Sequence, residues 1–207
     1  VEFKYTTSAT IIPDPETVTD WDNERTFRVT SYNGDAREYA YKVVKSEIES
    51  DGDVELKTTE EVASFAATKT TVVKGNLIIG SDAEEAEKIT DISALASLKE
   101  VTGNIVIRNS YNGADLTGLE NIVSAGGVQV GSADVASKAT ELHMISMKAL
   151  ETLSGDISVY NDQVTYVLFE KLATIGGSVM FNAPSLQSFE FPVLTTVGQD
   201  LNIQGLN

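Results

Sequence analysis

The sequence predicts a mainly β chain whose larger part is a solenoid of stacked coils, preceded by a small antiparallel β-sandwich-like module. Three observations carry that reading. Between Leu77 and Leu201 a turn residue followed by apolar, any residue, apolar recurs in six phrases: Asn76-Leu77-Ile78-Ile79, Asn104-Ile105-Val106-Ile107, Gly127-Val128-Gln129-Val130, Asp156-Ile157-Ser158-Val159, Ser178-Val179-Met180-Phe181 and Asp200-Leu201-Asn202-Ile203. The first apolar positions, 77, 105, 128, 157, 179 and 201, lie 28, 23, 29, 22 and 22 residues apart, a spacing typical of repeat architectures. Gly103, Gly126, Gly155, Gly177 and Gly198 interrupt the apolar rows just before or near the strands, which favours short extended edges and turns over helices. One coil cannot bury its own apolar face, so the coils must stack.

Residues 1–47 read as a partial β module. Two β-rich runs, Thr26 to Ser31 and Arg37 to Val43, flank Tyr32-Asn33-Gly34-Asp35, and Asn-Gly tolerates the positive φ that a hairpin needs. Alternation places Phe27, Val29, Tyr39 and Tyr41 on one apolar face, so core packing is expected for both tyrosines, and Ile11-Ile12 precedes a break at Pro13-Asp14-Pro15. About four strands fall short of the roughly seven of a self-sufficient sandwich, so the sequence is expected to begin inside that domain.

Residues 48–58 are polar and are expected to form a linker; Asp51-Gly52-Asp53 lacks the further oxygen ligands of a calcium loop. Thr58-Thr59-Glu60-Glu61 reads as a capping box ahead of Val62, Phe65 and Ala66, so a short helix should start near Thr59 and cover the open end of the first coil. The solenoid is then expected over 59–207. Rows such as Leu95, Leu98, Val101, Ile105 and Leu172, Ile175, Val179 contribute an inward side chain at each corner. Ser81, Asn109, Ser132, Asn161, Ala183 and Gly205 follow the strands, where small or amide groups suit an inward corner whose backbone needs partners.

Composition removes several functions. The chain has 207 residues with Lys+Arg 15 against Asp+Glu 31, and its net charge of -16 opposes binding to nucleic acid or an anionic lipid surface. No run approaches the ~20 apolar residues of a membrane span. With no cysteine there is no disulfide, thiolate site or cysteine nucleophile.

Val72-Val73-Lys74-Gly75-Asn76-Leu77-Ile78-Ile79, followed by Leu95-Ala96-Ser97-Leu98-Lys99-Glu100-Val101-Thr102-Gly103-Asn104-Ile105-Val106-Ile107, resembles the receptor L domain, the leucine-rich-repeat-like β-helix of insulin and growth factor receptors. The resemblance runs from about Thr59 to Asn207 and implies a right-handed parallel β-helix with an N-terminal helical cap. The chain departs from those receptors in lacking their cysteines, so hormone-receptor function is not carried over. Asp20-Trp21-Asp22, Phe27-Arg28-Val29-Thr30 and Asn33-Gly34-Asp35-Ala36-Arg37-Glu38-Tyr39 resemble the end of immunoglobulin-like domains of surface lipoproteins from gut Gram-negative bacteria. The two likenesses together imply an extracellular, outer-membrane-anchored surface protein. The lack of cysteines and of Asn-x-Ser/Thr sequons also favours a bacterial origin.

No catalytic constellation is legible. A single histidine, His143, cannot build a zinc site or a nucleophilic triad, and Val123-Ser124-Ala125-Gly126-Gly127 is a coil turn and not a phosphate cradle. Asp156 and Asp200 occupy the turn position that Asn76 and Asn104 fill, and no spacing argument pairs any two carboxylates, Asp162 and Glu170 included, as in a glycosidase. No cofactor or metal is expected. With the anchors pointing inward, alternation turns Ile78, Val106, Gln129, Ser158, Met180 and Asn202 outward in one column, with Arg108, Tyr160, Asn182 and Gln204 in the next.

Exposed Ile78, Val106 and Met180 on a flat sheet would mark a partner surface for a protein or a carbohydrate, unless another part of the chain covers them. The expected function is therefore a non-catalytic interaction module binding through the sheet at Ile78, Val106, Arg108, Gln129, Tyr160, Met180, Asn182 and Asn202. Val106→Glu should weaken capture and leave melting unchanged. A glycan-active β-helix enzyme, marked by a concave cluster of carboxylates or of a carboxylate with Lys or Arg, and a structural spacer are the alternatives. Trp21 with Tyr32, Tyr39 and Tyr41 could stack on a sugar, and the bare coil edge after Leu201-Asn202-Ile203 could meet another chain or a continuation of this one.

Overall fold

The computed structural model describes residues 8–19, 24–42, 47–136 and 140–205. The chain divides into two compact units, Val1–Ser46 and Glu47–Asn207. In the first, β1 (Thr10–Ile12), β2 (Arg25–Thr30) and β3 (Ala36–Tyr41) form an antiparallel sheet in the order β1-β2-β3. The Asn-Gly turn forms as its chemistry requires: Gly34 takes φ +88°, its N–H reaches Ser31 O at 3.0 Å, and Thr30 pairs with Ala36. Phe27 is buried, but Tyr39 is 53% exposed and Tyr41 is exposed too, contrary to the expected core packing. They lie on β3, every residue of which is exposed, and the described residues of this unit offer no second layer to cover it. Trp21, with the rest of Asp20-Trp21-Asp22, lies outside the described residues, as does Val43.

The second unit is the stack of coils. Its strands are β4 (Val54–Leu56), β5 (Val72–Val73), β6 (Leu77–Ile79), β7 (Glu100–Ile107), β8 (Ser124–Val130), β9 (Met144–Ser146), β10 (Thr152–Leu153), β11 (Ile157–Tyr160), β12 (Tyr166–Leu168), β13 (Thr174–Ile175), β14 (Val179–Asn182), β15 (Ser188–Glu190), β16 (Thr196–Val197) and β17 (Leu201–Gln204). Every pairing between named strands of this unit is parallel. The main ladder runs β4-β6-β7-β8-β11-β14-β17 and holds Val54, Leu77, Ile105, Val128, Ile157, Val179 and Leu201 in one register column. The six anchors read from the sequence thus lie one above another. Five are fully buried, while Leu201 is 61% exposed because no further described coil lies against it.

A second ladder, β5-β7-β8-β10-β13-β16, stacks Val73, Val101, Ala125, Leu153, Ile175 and Val197. The two ladders meet at a corner where Gly103 donates its N–H to Gly75 O at 2.8 Å; a Cβ on Gly103 would lie 2.6 Å from the Gly75 carbonyl carbon, so a side chain has no room there. A third ladder, β9-β12-β15, forms on another side of the later coils and buries Ile145 and Val167. One continuous core runs between the ladders, from Leu56 to Leu186. Each fully buried Leu, Ile, Val or Phe stabilises it by about 1.5–3 kcal/mol.

Helix α1 (Thr59–Ala67) starts where its capping box predicts: Glu61 N–H meets Thr58 Oγ1 at 3.1 Å and Thr58 N–H meets Glu61 Oε2 at 3.1 Å. Val62 and Ala66 enter the core, and Glu87 from the next coil accepts the Thr59 N–H at 2.9 Å. The stack begins earlier than Thr59, because β4, within the stretch read as linker, already pairs in parallel with β6. Together β4 and α1 make the first layer.

Candidate functional site

Side chains of four residues that precede main strands fasten one coil to the next. Asp53 Oδ1 accepts the Asn76 N–H at 2.7 Å, Asn76 Oδ1 accepts the Asn104 N–H at 2.8 Å, Asp156 Oδ1 accepts the Ser178 N–H at 2.6 Å, and Ser178 Oγ accepts the Asp200 N–H at 3.3 Å. Asp53, read from the sequence beside a possible metal loop, is thus engaged with amide donors. These hydrogen bonds hold its carboxyl below the ordinary 3.8. After the strands, buried Asn161 turns inward as expected, its Oδ1 accepting the N–H groups of Gln163 and Val164 at 2.8 and 3.1 Å.

Between these fastenings the outward column is Glu55, Ile78, Val106, Gln129, Ser158, Met180, Asn202, each beside the next in register. Neighbours are about 4.8 Å apart, so the column forms a continuous surface. Tyr160, Asn182 and Gln204 form the adjacent column, and Tyr160 Oη donates to Met180 Sδ at 2.7 Å, linking the two. Met180 is 37% exposed, Asn182 and Asn202 are exposed, and Ile78, Arg108, Gln129 and Tyr160 are half-buried. Val106 is only 8% exposed, which corrects the expectation of three exposed apolar groups. A short valine between the longer Ile78 and Gln129 is shaded by them, so Val106→Glu would disturb packing as well as any contact.

At one end of the column a hollow of about 230 Å³ is lined by Glu55, Lys57, Ile78, Asp82 and Arg108 among others. Arg108 Nη1 pairs with Asp82 Oδ2 at 2.6 Å, and Lys57 pairs with Glu55, whose hydrogen bond and charge hold the ammonium above its ordinary 10.5. A larger hollow of about 330 Å³ lies against β9, lined by Asp115, Leu116, Glu120, Met144, Ser146 and Lys148 with Thr117. Both hollows combine carboxylates with a cation, the pattern expected of the enzyme alternative. In the first, the carboxylates meet cations; in the second, Asp115 Oδ1 accepts the Thr117 N–H at 2.8 Å and Glu120 Oε2 accepts the Gly118 N–H at 2.5 Å.

Sequence reasoning missed Lys57, Asp82 and the 115–120 segment, which lie outside the repeated phrase. His143 is exposed, with Nδ1 at 3.1 Å from Gln163 O and Nε2 at 3.8 Å from Glu141. Among the described residues no group of His, Cys, Asp or Glu is placed to hold a metal ion, and no helix is long and apolar enough to cross a membrane.

A parallel sheet on stacked coils, near-uniform inside and varied outside, defines the class of β-solenoids. Residues 69–143 match the sequence model of the Receptor L domain family, which covers the first part of the stretch from about Thr59 to Asn207 that resembles it. The likeness points to a ligand-binding or interaction module of a kind typically extracellular. It does not reach the N-terminal unit. No curated protein and no solved structure matches the chain.

Proposed function

We propose that the chain is a non-catalytic, extracellular interaction module that engages a protein or glycan partner through the outer face of its main parallel sheet. The observation that carries this is the contrast between columns in one register. Inward, Leu77, Ile105, Val128, Ile157 and Val179 are near-uniform and fully buried; outward, Ile78, Gln129, Ser158, Met180 and Asn202 change chemistry at every rung. Core constancy fixes the geometry, and outward variation gives a partner a distinct pattern to read. Anchoring at an outer membrane belongs to the same reading and rests on the likeness of the N-terminal residues to lipoprotein modules.

The test displays the intact chain to a glycan array and to a library of secreted proteins. A Met180→Glu, Asn202→Glu double variant should bind the captured partner at least about tenfold more weakly, as loss of a buried contact at an interface centre does. Its melting should fall only slightly, because both side chains are exposed and the cost is limited to the lost Tyr160 contact and two facing carboxylates, together about 1 kcal/mol. Capture unchanged in the variant, or no capture by the intact chain, overturns the proposal.

A further inference from the structure

β9 is the edge strand of the third ladder, and among the described residues the coil before it adds no strand there. His143 and Met144 donate their N–H groups to Ala114 O at 3.0 and 3.3 Å, and Ala149 donates to Glu120 O at 3.1 Å. Between these two fastenings the chain leaves the hollow of about 330 Å³. Its wall is braced from within: buried Tyr111 donates its hydroxyl to Asp115 O, and burial pushes that phenol's pKa up, so it stays a donor.

The bracing leaves a defined set of polar groups that no other side chain engages, three of them open to solvent. Asp115 and Glu120 each spend one carboxylate oxygen on a turn N–H; Asp115 Oδ2, Glu120 Oε1 and Lys148 Nζ have no hydrogen-bond partner among the described residues. Ser146 Oγ, on the same lining, is buried and has no partner either. A buried polar atom left unpaired is rare in a folded protein and calls for a partner. Half-buried Met144 supplies apolar surface beside these groups, while Leu116 is buried in the core.

We propose that this hollow binds a neutral polyhydroxyl ligand, a pyranose residue of a glycan. A cation would satisfy the carboxylates but is repelled by Lys148 and cannot accept its hydrogen bond. An anion would satisfy Lys148 but meets two carboxylates on a chain of net charge -16. A hydroxylated ring donates to Asp115 and Glu120, accepts from Lys148, lays its C–H face on half-buried Met144, and exchanges a hydrogen bond with Ser146 once that hydroxyl turns toward the hollow. An added peptide strand fits less well, because the β9 edge is already fastened to Ala114 and Glu120 at either end of the hollow. The site lies on a different ladder from the sheet surface proposed above, so either can fail without the other.

The experiment titrates the intact chain by calorimetry with maltohexaose, cellohexaose, mannohexaose and xylohexaose, and in parallel with hexa-arginine and hexagalacturonate. At least one neutral hexasaccharide should bind, and Glu120→Gln and Lys148→Met should each weaken it by about tenfold or more, the loss expected for one hydrogen bond to a charged group. Glu120→Gln keeps an amide oxygen for the Gly118 N–H, Lys148 is exposed, and melting curves verify that both variants fold. Lys171→Met, an exposed position outside both surfaces, should leave this binding unchanged. Failure of all four neutral sugars, binding unaffected in both hollow variants, or stronger binding of hexa-arginine or hexagalacturonate overturns the proposal.

Discussion

Asp53 accepts hydrogen bonds from the backbone N–H and the side-chain amide of Asn76, at 2.7 Å and at 3.1 to 3.2 Å, and so ties β4 to the coil that follows. Its carboxyl titrates below the ordinary 3.8, chiefly because of the backbone bond. Glu87, which takes the Thr59 N–H at the start of α1, is held below its ordinary 4.5 by that bond; Asp91, which takes the Ser93 N–H, is likewise held below 3.8. A carboxyl whose folded pKa is depressed contributes stability that is complete above its unfolded pKa and is lost as pH falls through the folded value. The melting temperature should therefore fall as pH drops below about 4.5, the ordinary glutamate value, and the loss should be shallower in Asp53→Asn, which keeps an acceptor oxygen but has no proton to gain. Thermal melts of both chains from neutral pH to below 3.8 check this; parallel curves for the two would show that Asp53 takes no part. That Asp53 begins such a ladder was legible in principle: Asp53-Val54-Glu55-Leu56 carries the same phrase as Asn76-Leu77-Ile78-Ile79, but it lies in a polar stretch read as linker and ahead of the helix expected to cap the first coil.

At the scale of the strand, period-two alternation decides which side chains face the core, and the neighbouring coils decide how deeply each is buried. Ile157 sits in register between Val128 and Val179 and is fully buried, whereas Leu201 is covered on the Val179 side alone and stays 61% exposed. Ile157→Ala should cost about 2–5 kcal/mol, the range for a core isoleucine that leaves a cavity. Leu201→Ala should cost below about 1 kcal/mol, because most of that side chain is already in water. Urea unfolding of the two variants measures the difference, and equal costs would contradict the stacking. Direction was readable from the sequence at both positions because it belongs to one strand. Depth was not, since shading of Val106 by Ile78 and Gln129, and exposure of Leu201, belong to side chains one coil away. The third ladder escaped notice for a related reason: Tyr166-Val167-Leu168 and Ser188-Phe189-Glu190 share register but no common turn residue before them. The hollow beside β9 went with it.

At the scale of the stack, each coil meets only its neighbours, so stability is close to a sum of coil and interface terms, and openings start where a neighbour is missing. Burial grades accordingly. Val128, Ile157 and Val179 on the main ladder and Val167 and Phe169 on the third side are closed to solvent, while Phe189, Phe191, Leu194, Val197 and Ile203 of the last coil are only partly buried. The ring of Phe191 stacks on Phe169 with centroids 5.5 Å apart and on Phe181 at 6.4 Å, and Phe189 meets Phe181 edge-on at 5.9 Å, so an aromatic seam adds to the three strand pairings that hold the last coil. Amide exchange should therefore be slowest on β8 and β11, faster on β14, and fastest on β17, with β15 tracking the seam. Phe191→Ala removes the ring shared by two of those contacts. It should speed exchange on β15, β16 and β17 by an order of magnitude or more, about 10-fold per 1.4 kcal/mol of interface lost, and leave β8 and β11 near their original rates. Acceleration spread evenly over all coils would mean that the solenoid opens as one unit and that its interfaces are not the local terms that stacking requires.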